Sequence, residues 1–229
     1  MEQAERQKLL ELYEDLRVAD VRDGMDVMLL HHVGSMDAGI RPLHRTHAFG
    51  IARTVRYLPY ADRIPENDPD EYVKWSGRYY AEICPYPWID EIQDGDFVVI
   101  DASGVDAGLI GSENTLTCIR RGCRGIVTSG GVRDTDEVIL QGIPVWSRMI
   151  SKSMVQGRLQ YDTRNTPVAV GGVTVSPGDL VVADGDGVVV VPREYAAAVA
   201  REARAEHERD KINRRRHYEA LGREPDETL

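Results

Sequence analysis

The 229-residue chain is short of several residue types, and each shortage removes a class of protein. Three cysteines, Cys84, Cys118 and Cys123, are too few and too irregularly spaced for a disulfide framework or a CxxC zinc pattern. Cys118 and Cys123 are expected to fill the interior as small apolar residues. No run approaches the roughly 18 apolar residues of a membrane span. The charged N-terminus MEQAERQKLLELYEDL has no apolar signal core, so a cytoplasmic protein without membrane contact is expected. Basic residues are outnumbered, with 28 Lys and Arg against 38 Asp and Glu and a formal net charge of -10. That balance opposes adhesion to nucleic acid, and no nucleic-acid partner is expected. GxSxG and HExxH do not occur, and no GxGxxG follows a strand. His31, His32, His44 and His47 lack metal-ligand spacing, while His207 and His217 fall on a polar helix where solvation is expected.

What remains is an ordinary hydrophobic content of 42% with clear periodicities. One domain is expected, with an N-terminal helix over 1–17, a core over 18–192 and a C-terminal helical extension over 193–229. Leu9, Leu10, Leu12 and Leu16 recur with a helical period, and Asp20 can cap a second helix through Val21, Met25, Met28 and Leu29. Residues 48–58 alternate as a strand, 59–70 read as a proline-rich loop and 71–83 as a helix. FVVID (97–101), GIVTS (125–129) and 143–146 read as strands separated by helices over 112–121 and 135–141, which implies an α/β layer. Beyond 165 the pattern turns to β structure. Residues 167–170 and 173–175 form a hairpin across Gly171-Gly172, and further strands are expected at 180–184 and 188–192. Asp101, Asp106, Asp179, Asp184 and Asp186 fit turns better than a calcium loop. The polar helix after Arg193 has a thin apolar stripe of Tyr195, Val199 and Ala203, fit for solvent or for a neighbouring subunit. The aromatic segment 57–92, with Trp75, Tyr79, Tyr80, Tyr86 and Trp88, is expected to pack into the core.

The chemistry concentrates in residues 111–137, GSENTLTCIRRGCRGIVTSGGVRDTDE. A strand ends in Gly130-Gly131 and delivers Arg133 and Asp134, with Glu137 three residues on. A strand-end carboxylate can bind Mg²⁺ or Mn²⁺, hard cations that take oxygen ligands. The adjacent guanidinium can grip a substrate carboxylate or enolate oxygen. Asp134 is equally suited to cap the helix running through Val138. Gly111, Ser112, Glu113, Asn114 and Thr115 open a helix whose backbone N–H groups form a ready anion site. Glu113 can hold a metal-bound water there, or can simply favour the helix dipole.

Together with GGVTVSPGDLVVADGDGVVVVPRE (171–194), this stretch resembles the RraA-like family across most of residues 18–195. That family includes 4-hydroxy-4-methyl-2-oxoglutarate aldolases with oxaloacetate decarboxylase activity, and a protein regulator of ribonuclease E. The resemblance implies an α/β sandwich with a central β-barrel-like layer and a long C-terminal helix. It also implies homotrimers or homohexamers with sites between subunits. By the same resemblance Asp134 ligates Mg²⁺ or Mn²⁺ and Arg133 binds the keto or enolate oxygen of a small anionic 2-oxo acid. Backbone groups near Glu113–Thr115 take the substrate carboxylate, and an acid on the neighbour's last helix, Glu206 or Glu208, joins the outer metal shell. The aldolases place an acid directly after the glycine, whereas here Ser112 intervenes before Glu113. The implied activity is a metal-dependent class II pyruvate aldolase or decarboxylase. A non-enzymatic regulator of a ribonuclease or helicase, and a lyase or hydratase acting on a sugar acid, are the alternatives.

Overall fold

The computed structural model describes residues 2–65 and 68–229. Helices α1 (Gln3–Leu12) and α2 (Val18–Val27) lead into the short strand β1 (Arg41–Pro42) and the long strand β2 (Ala48–Pro59). Helix α3 (Pro69–Arg78) comes next, with proline in its first turn, where a missing N–H costs nothing. A π turn over Tyr79–Ile83 continues it. The expected loop at 59–70 falls partly on residues 66 and 67, which lie outside the described residues. Then come β3 (Asp96–Asp101), β4 (Gly108–Ile110), α4 (Ser112–Arg120), β5 (Gly125–Val132), α5 (Thr135–Leu140) and β6 (Val145–Ile150). The chain ends with β7 (Leu159–Arg164), the hairpin β8 (Val168–Val170) and β9 (Val173–Val175), β10 (Leu180–Ala183), β11 (Val188–Val191) and α6 (Ala196–Leu221).

The nine-stranded mixed sheet runs β1-β6-β5-β3-β2-β10-β11, with β4 beside β5 and β7 beside β2. Strands β2, β3, β5 and β6 are parallel, joined by helical crossovers, and antiparallel strands extend both ends. Strand β2 pairs with β10 along its first half and with β7 along its second, where the register shifts between Arg56 and Tyr57. The sheet thereby curls into a half-barrel. Period-2 alternation distributes the core. Phe97 and Val99 of β3 point inside the curl with Trp146, Val181 and the β8–β9 hairpin. Val98 and Ile100 point outward onto α4, α5 and the aromatic segment. Leu180 and Val182 of β10 meet α1, α2 and α6. Each such buried aliphatic side chain contributes about 1.5–3 kcal/mol against exposure.

Several expectations are corrected. Helix α2 begins at Val18, so Asp20 caps it from the first turn, accepting the Arg17 N–H at 3.0 Å, and not from the N-cap position itself. The Val18 N–H goes instead to the Asp184 carboxylate, 2.9 Å away from a distant turn. The C-terminal helix is not merely solvated, because Val199, Ala200, Ala203 and His207 are buried along its contact with α2. His207 continues the helical stripe of Val199 and Ala203, and its Nδ1 meets buried Asp20 at 2.9 Å. Strands β4 and β7 have no counterpart in the sequence reading. The first is three residues long, and the second is an edge strand with mostly half-exposed side chains. The aspartates of the later turns do act locally: Asp179 accepts from the Ser176 N–H and Asp184 from the Asp186 N–H. Cys118 and Cys123 are buried as expected, and Cys84 is buried as well.

Candidate active site

The candidate site is built where β5 changes partners. Its first half pairs with β3 as far as Thr128, and its last residues pair with β4, Gly108 against Gly131 and Ile110 against Val132. Gly130 makes room for this crossing, since a Cβ there would lie 2.7 Å from the Ala102 Cβ. At Gly131 a Cβ would meet the Ser151 Cβ at 2.6 Å. The glycine pair is thus required by close packing of neighbouring chain. Beyond Val132 the Arg133 N–H bonds the Ile110 carbonyl at 2.9 Å, which fixes the backbone that carries the cation.

Asp134 then adopts a left-handed conformation, φ 53° and ψ 37°, uncommon for a residue with a side chain but tolerated by aspartate. It occupies the N-cap position of α5, yet its carboxylate makes no cap bond to that helix. The side chain turns to α4 instead, where its Oδ2 accepts the Ser112 N–H at 3.3 Å. The sequence reading that made Asp134 a cap for its own helix is corrected here. Gly111 explains why the reach is possible, because a Cβ at that position would lie 2.3 Å from Asp134 Oδ2. Gly111 itself is extended, φ -142°, so side-chain clearance is what demands glycine. Gly108 plays the same part for Arg133, whose Cβ, Cγ and Cδ would lie 2.8–2.9 Å from an added Cβ. Arg133 Nε stands 3.7 Å from Asp134 Oδ2, and both side chains remain about one-third exposed.

These residues line a cavity of about 90 Å³ with Tyr80, Tyr86, Leu109, Glu113, Asn114 and Val155. Gly111, Glu113, Asn114, Arg133 and Asp134 are thus brought together. Ser112 takes part through its N–H, and Thr115 does not reach the cavity wall. The buried Thr115 donates its N–H to the Gly111 carbonyl at 3.1 Å and its hydroxyl to the Ser112 carbonyl at 2.9 Å. Helix geometry leaves the N–H groups of Glu113 and Asn114 without intrahelical acceptors, so they are available to an anion. Within one chain neither Glu206 nor Glu208 lines this cavity. Tyr80, Tyr86, Gly108, Leu109 and Val155 were not singled out as site residues from sequence. The two tyrosines lay in the aromatic segment, and Gly108 in a strand too short to read.

Size alone would point elsewhere. A cleft of about 480 Å³ lies beside α6 among Arg17, His47, Asp184, His207, Lys211 and Arg214. Its arginines are already engaged by Asp20 and Asp210. Among the described residues no three His, Cys, Asp or Glu side chains are grouped to enclose a metal. The 90 Å³ cavity nonetheless fits a hard divalent cation. Asp134 presents a half-exposed carboxylate in a space that a Cβ on Gly111 would fill, Glu113 lines the same cavity, and Mg²⁺ needs only one or two carboxylates beside its waters.

The RraA-like family model (Aldolase/RraA) matches residues 18–190. The chain belongs to the RraA-like family. Protein DlpA of Legionella pneumophila is 27% identical over 188 residues, 81% of this chain but only 28% of that longer protein. A protein of Halalkalibacterium halodurans, provisionally named a 4-hydroxy-4-methyl-2-oxoglutarate aldolase, is 32% identical over 55% of this chain and 60% of its own length. The chain therefore spans less than two thirds of these relatives. The solved structure of Streptomyces coelicolor RraAS2, described as an unusual member of the RNase ES inhibitor RraA protein family, superposes with a TM-score of 0.71 at 27% identity. That superposition covers 90% of this chain and 96% of the Streptomyces one. A protein of Pseudomonas syringae pv. tomato gives a TM-score of 0.73 at 30% identity, over 90% and 91% of the two chains. No helix among the described residues is long and apolar enough to cross a membrane.

Proposed function

We propose that this chain is a divalent-metal-dependent carbon–carbon lyase that releases pyruvate from oxaloacetate or a 4-hydroxy-2-oxo acid. The observation that carries the reading is the Asp134 carboxylate, held clear of its own helix and set beside Arg133 at the N-terminus of α4. The substrate carboxylate sits on the N–H groups of Glu113 and Asn114, where the helix dipole favours negative charge. Arg133 faces the keto oxygen and stabilises the charge that develops there as the bond breaks. Asp134 would hold Mg²⁺ or Mn²⁺, which when bound supplies Lewis-acid polarisation of the keto group. Glu113 holds the water that carries the proton to or from the substrate. In a homotrimer or homohexamer, Glu206 or Glu208 from a neighbouring α6 would supply the further carboxylate beside the metal's waters.

Purified protein with Mg²⁺ should release pyruvate from these acids in a lactate-dehydrogenase-coupled assay. Asp134→Asn keeps a side chain that tolerates the left-handed backbone but removes the charge. It should lose activity and Mg²⁺ binding together, with an unfolding midpoint close to that of the wild type. Retained turnover in this variant would end the metal assignment. A second reading, a regulator of a ribonuclease, is supported by the likeness to the Streptomyces RraA protein. Absence of turnover on the whole panel, with binding to a ribonuclease, would favour it.

A further inference from the structure

The aromatic segment does not act as one body. Trp75, Tyr79 and Trp88 are buried in the core. Tyr79 packs on Trp75 with ring centroids 5.0 Å apart and on Tyr60 at 5.8 Å. Its hydroxyl donates to the Val155 carbonyl at 2.6 Å and also lies against the Leu159 carbonyl. The Trp88 indole N–H donates to the Tyr57 hydroxyl at 2.8 Å, and the Tyr57 hydroxyl donates to the Pro85 carbonyl at 2.9 Å. Tyr86 lines the cavity, but its hydroxyl is engaged by the Leu109 carbonyl at 3.1 Å. Tyr80 is the exception. It is 39% exposed, lines the cavity with Arg133 and Asp134, and stands edge-on to Tyr79 at 5.9 Å.

The local backbone produces this division. Residues Tyr79–Ile83 form a π turn, closed by the Cys84 N–H on the Tyr79 carbonyl at 2.8 Å. Tyr80 directly follows Tyr79, and adjacent helical residues project about 100° apart, so a buried Tyr79 leaves Tyr80 on the neighbouring face, from which the π turn carries the chain on to Cys84. Such turns are rare and occur mainly at functional sites. Here the turn is anchored by buried Tyr79, so the adjacent ring is presented from a rigid base. Burial raises the Tyr80 phenol, and the nearby Arg133 charge partly offsets that rise.

We infer that Tyr80 is the specificity-determining residue of the site, its ring lining the cavity together with Arg133 and limiting the group carried on C4 of a 2-oxo acid substrate. This inference rests on the lyase reading above. Within one chain the cavity measures about 90 Å³, and Tyr80 is among the groups that bound it on this chain's side. Tyr86, Leu109 and Val155 supply the other large aromatic and aliphatic side chains of the wall. Both Tyr86 and Val155 are tied to surrounding backbone or core, which leaves Tyr80 as the wall element that a substitution can remove without dismantling the core.

The test compares kcat/KM for 4-hydroxy-2-oxobutanoate and its 4-methyl and 4-phenyl homologues in wild type, Tyr80→Phe and Tyr80→Ala, with Mg²⁺ present. Pyruvate binding is measured alongside by calorimetry. Wild type and Tyr80→Phe should share a steep preference for the smallest acid. Tyr80→Ala should shift the ratio toward the phenyl homologue by at least about tenfold, with pyruvate affinity changed by less than about threefold. Circular dichroism and the unfolding midpoint establish that Tyr80→Ala is folded, and Tyr80→Leu serves as a second variant if it is not. Wild-type turnover with unchanged selectivity in Tyr80→Ala or Tyr80→Leu overturns the Tyr80 inference alone. Wild type that neither binds pyruvate nor turns over any of the acids overturns the lyase reading and this inference with it.

Discussion

Gly111→Ala separates the chemistry of the site from the stability of the fold. Gly111 has extended backbone dihedrals, φ -142° and ψ -173°, which alanine adopts without strain. The added methyl nevertheless falls 2.3 Å from Asp134 Oδ2, and 3.3–3.4 Å from Asp134 Cγ and Arg133 Cγ. Ordinary contact begins near 3.4 Å, so the carboxylate must retreat by about 1 Å. What moves is the end of a half-exposed side chain, and the core is untouched. An off-rotamer Asp134 costs about 0.5–1.5 kcal/mol, and alanine is a poorer N-cap than glycine. For a chain of this size that sums to a midpoint lowered by roughly 2–6 °C. Displacing a catalytic group by about 1 Å costs on the order of 100-fold in rate. The variant should therefore fold with a slightly lowered midpoint in differential scanning fluorimetry and lose about two orders of magnitude in kcat/KM for pyruvate release. Activity within threefold of wild type would show that the position of the Asp134 carboxylate does not matter. Loss of the cooperative transition would show that Gly111 is needed for folding instead.

Two further outcomes concern the helical layer. A Cβ on Gly24 would lie 2.7 Å from the Val199 carbonyl oxygen and 2.8 Å from the Ala203 nitrogen. Both are backbone atoms of α6, so Gly24→Ala should force the helices apart and cost about 1–3 kcal/mol in urea unfolding; an unchanged midpoint would mean that the crossing adjusts freely. Burial alone would raise the Asp20 carboxyl, but its hydrogen bonds to Arg17 and His207 hold it below the usual carboxylate range. Its charged form therefore supports the fold above the unfolded carboxylate value of about 3.9, and that support is lost as pH falls through the lower folded value. Asp20→Asn should be less stable than wild type at pH 7, with the gap in midpoint closing below about pH 4. A gap that stays constant down to pH 2 would place the stabilisation elsewhere.

Local order was legible in the sequence because it is written in short periods. Alternation placed β2, short apolar runs placed β3, β10 and β11, and the Gly171-Gly172 pair placed the β8–β9 turn. The motif around Gly111, Gly130, Gly131, Arg133 and Asp134 pointed to the family that the comparisons then established. Tertiary structure decided which distant groups those residues meet. No local rule tells Asp134 to leave its own helix for the N–H of Ser112, because that contact exists only once β4 has paired with β5. Nor does a polar helix announce that His207 is buried, since Asp20, its partner, lies on α2. Composition marked the aromatic segment as core, and for Trp75, Tyr79 and Trp88 it is. Tyr80 is set apart because it follows Tyr79 on the adjacent helical face, about 100° round, and which face meets the core is decided by tertiary packing that composition does not record.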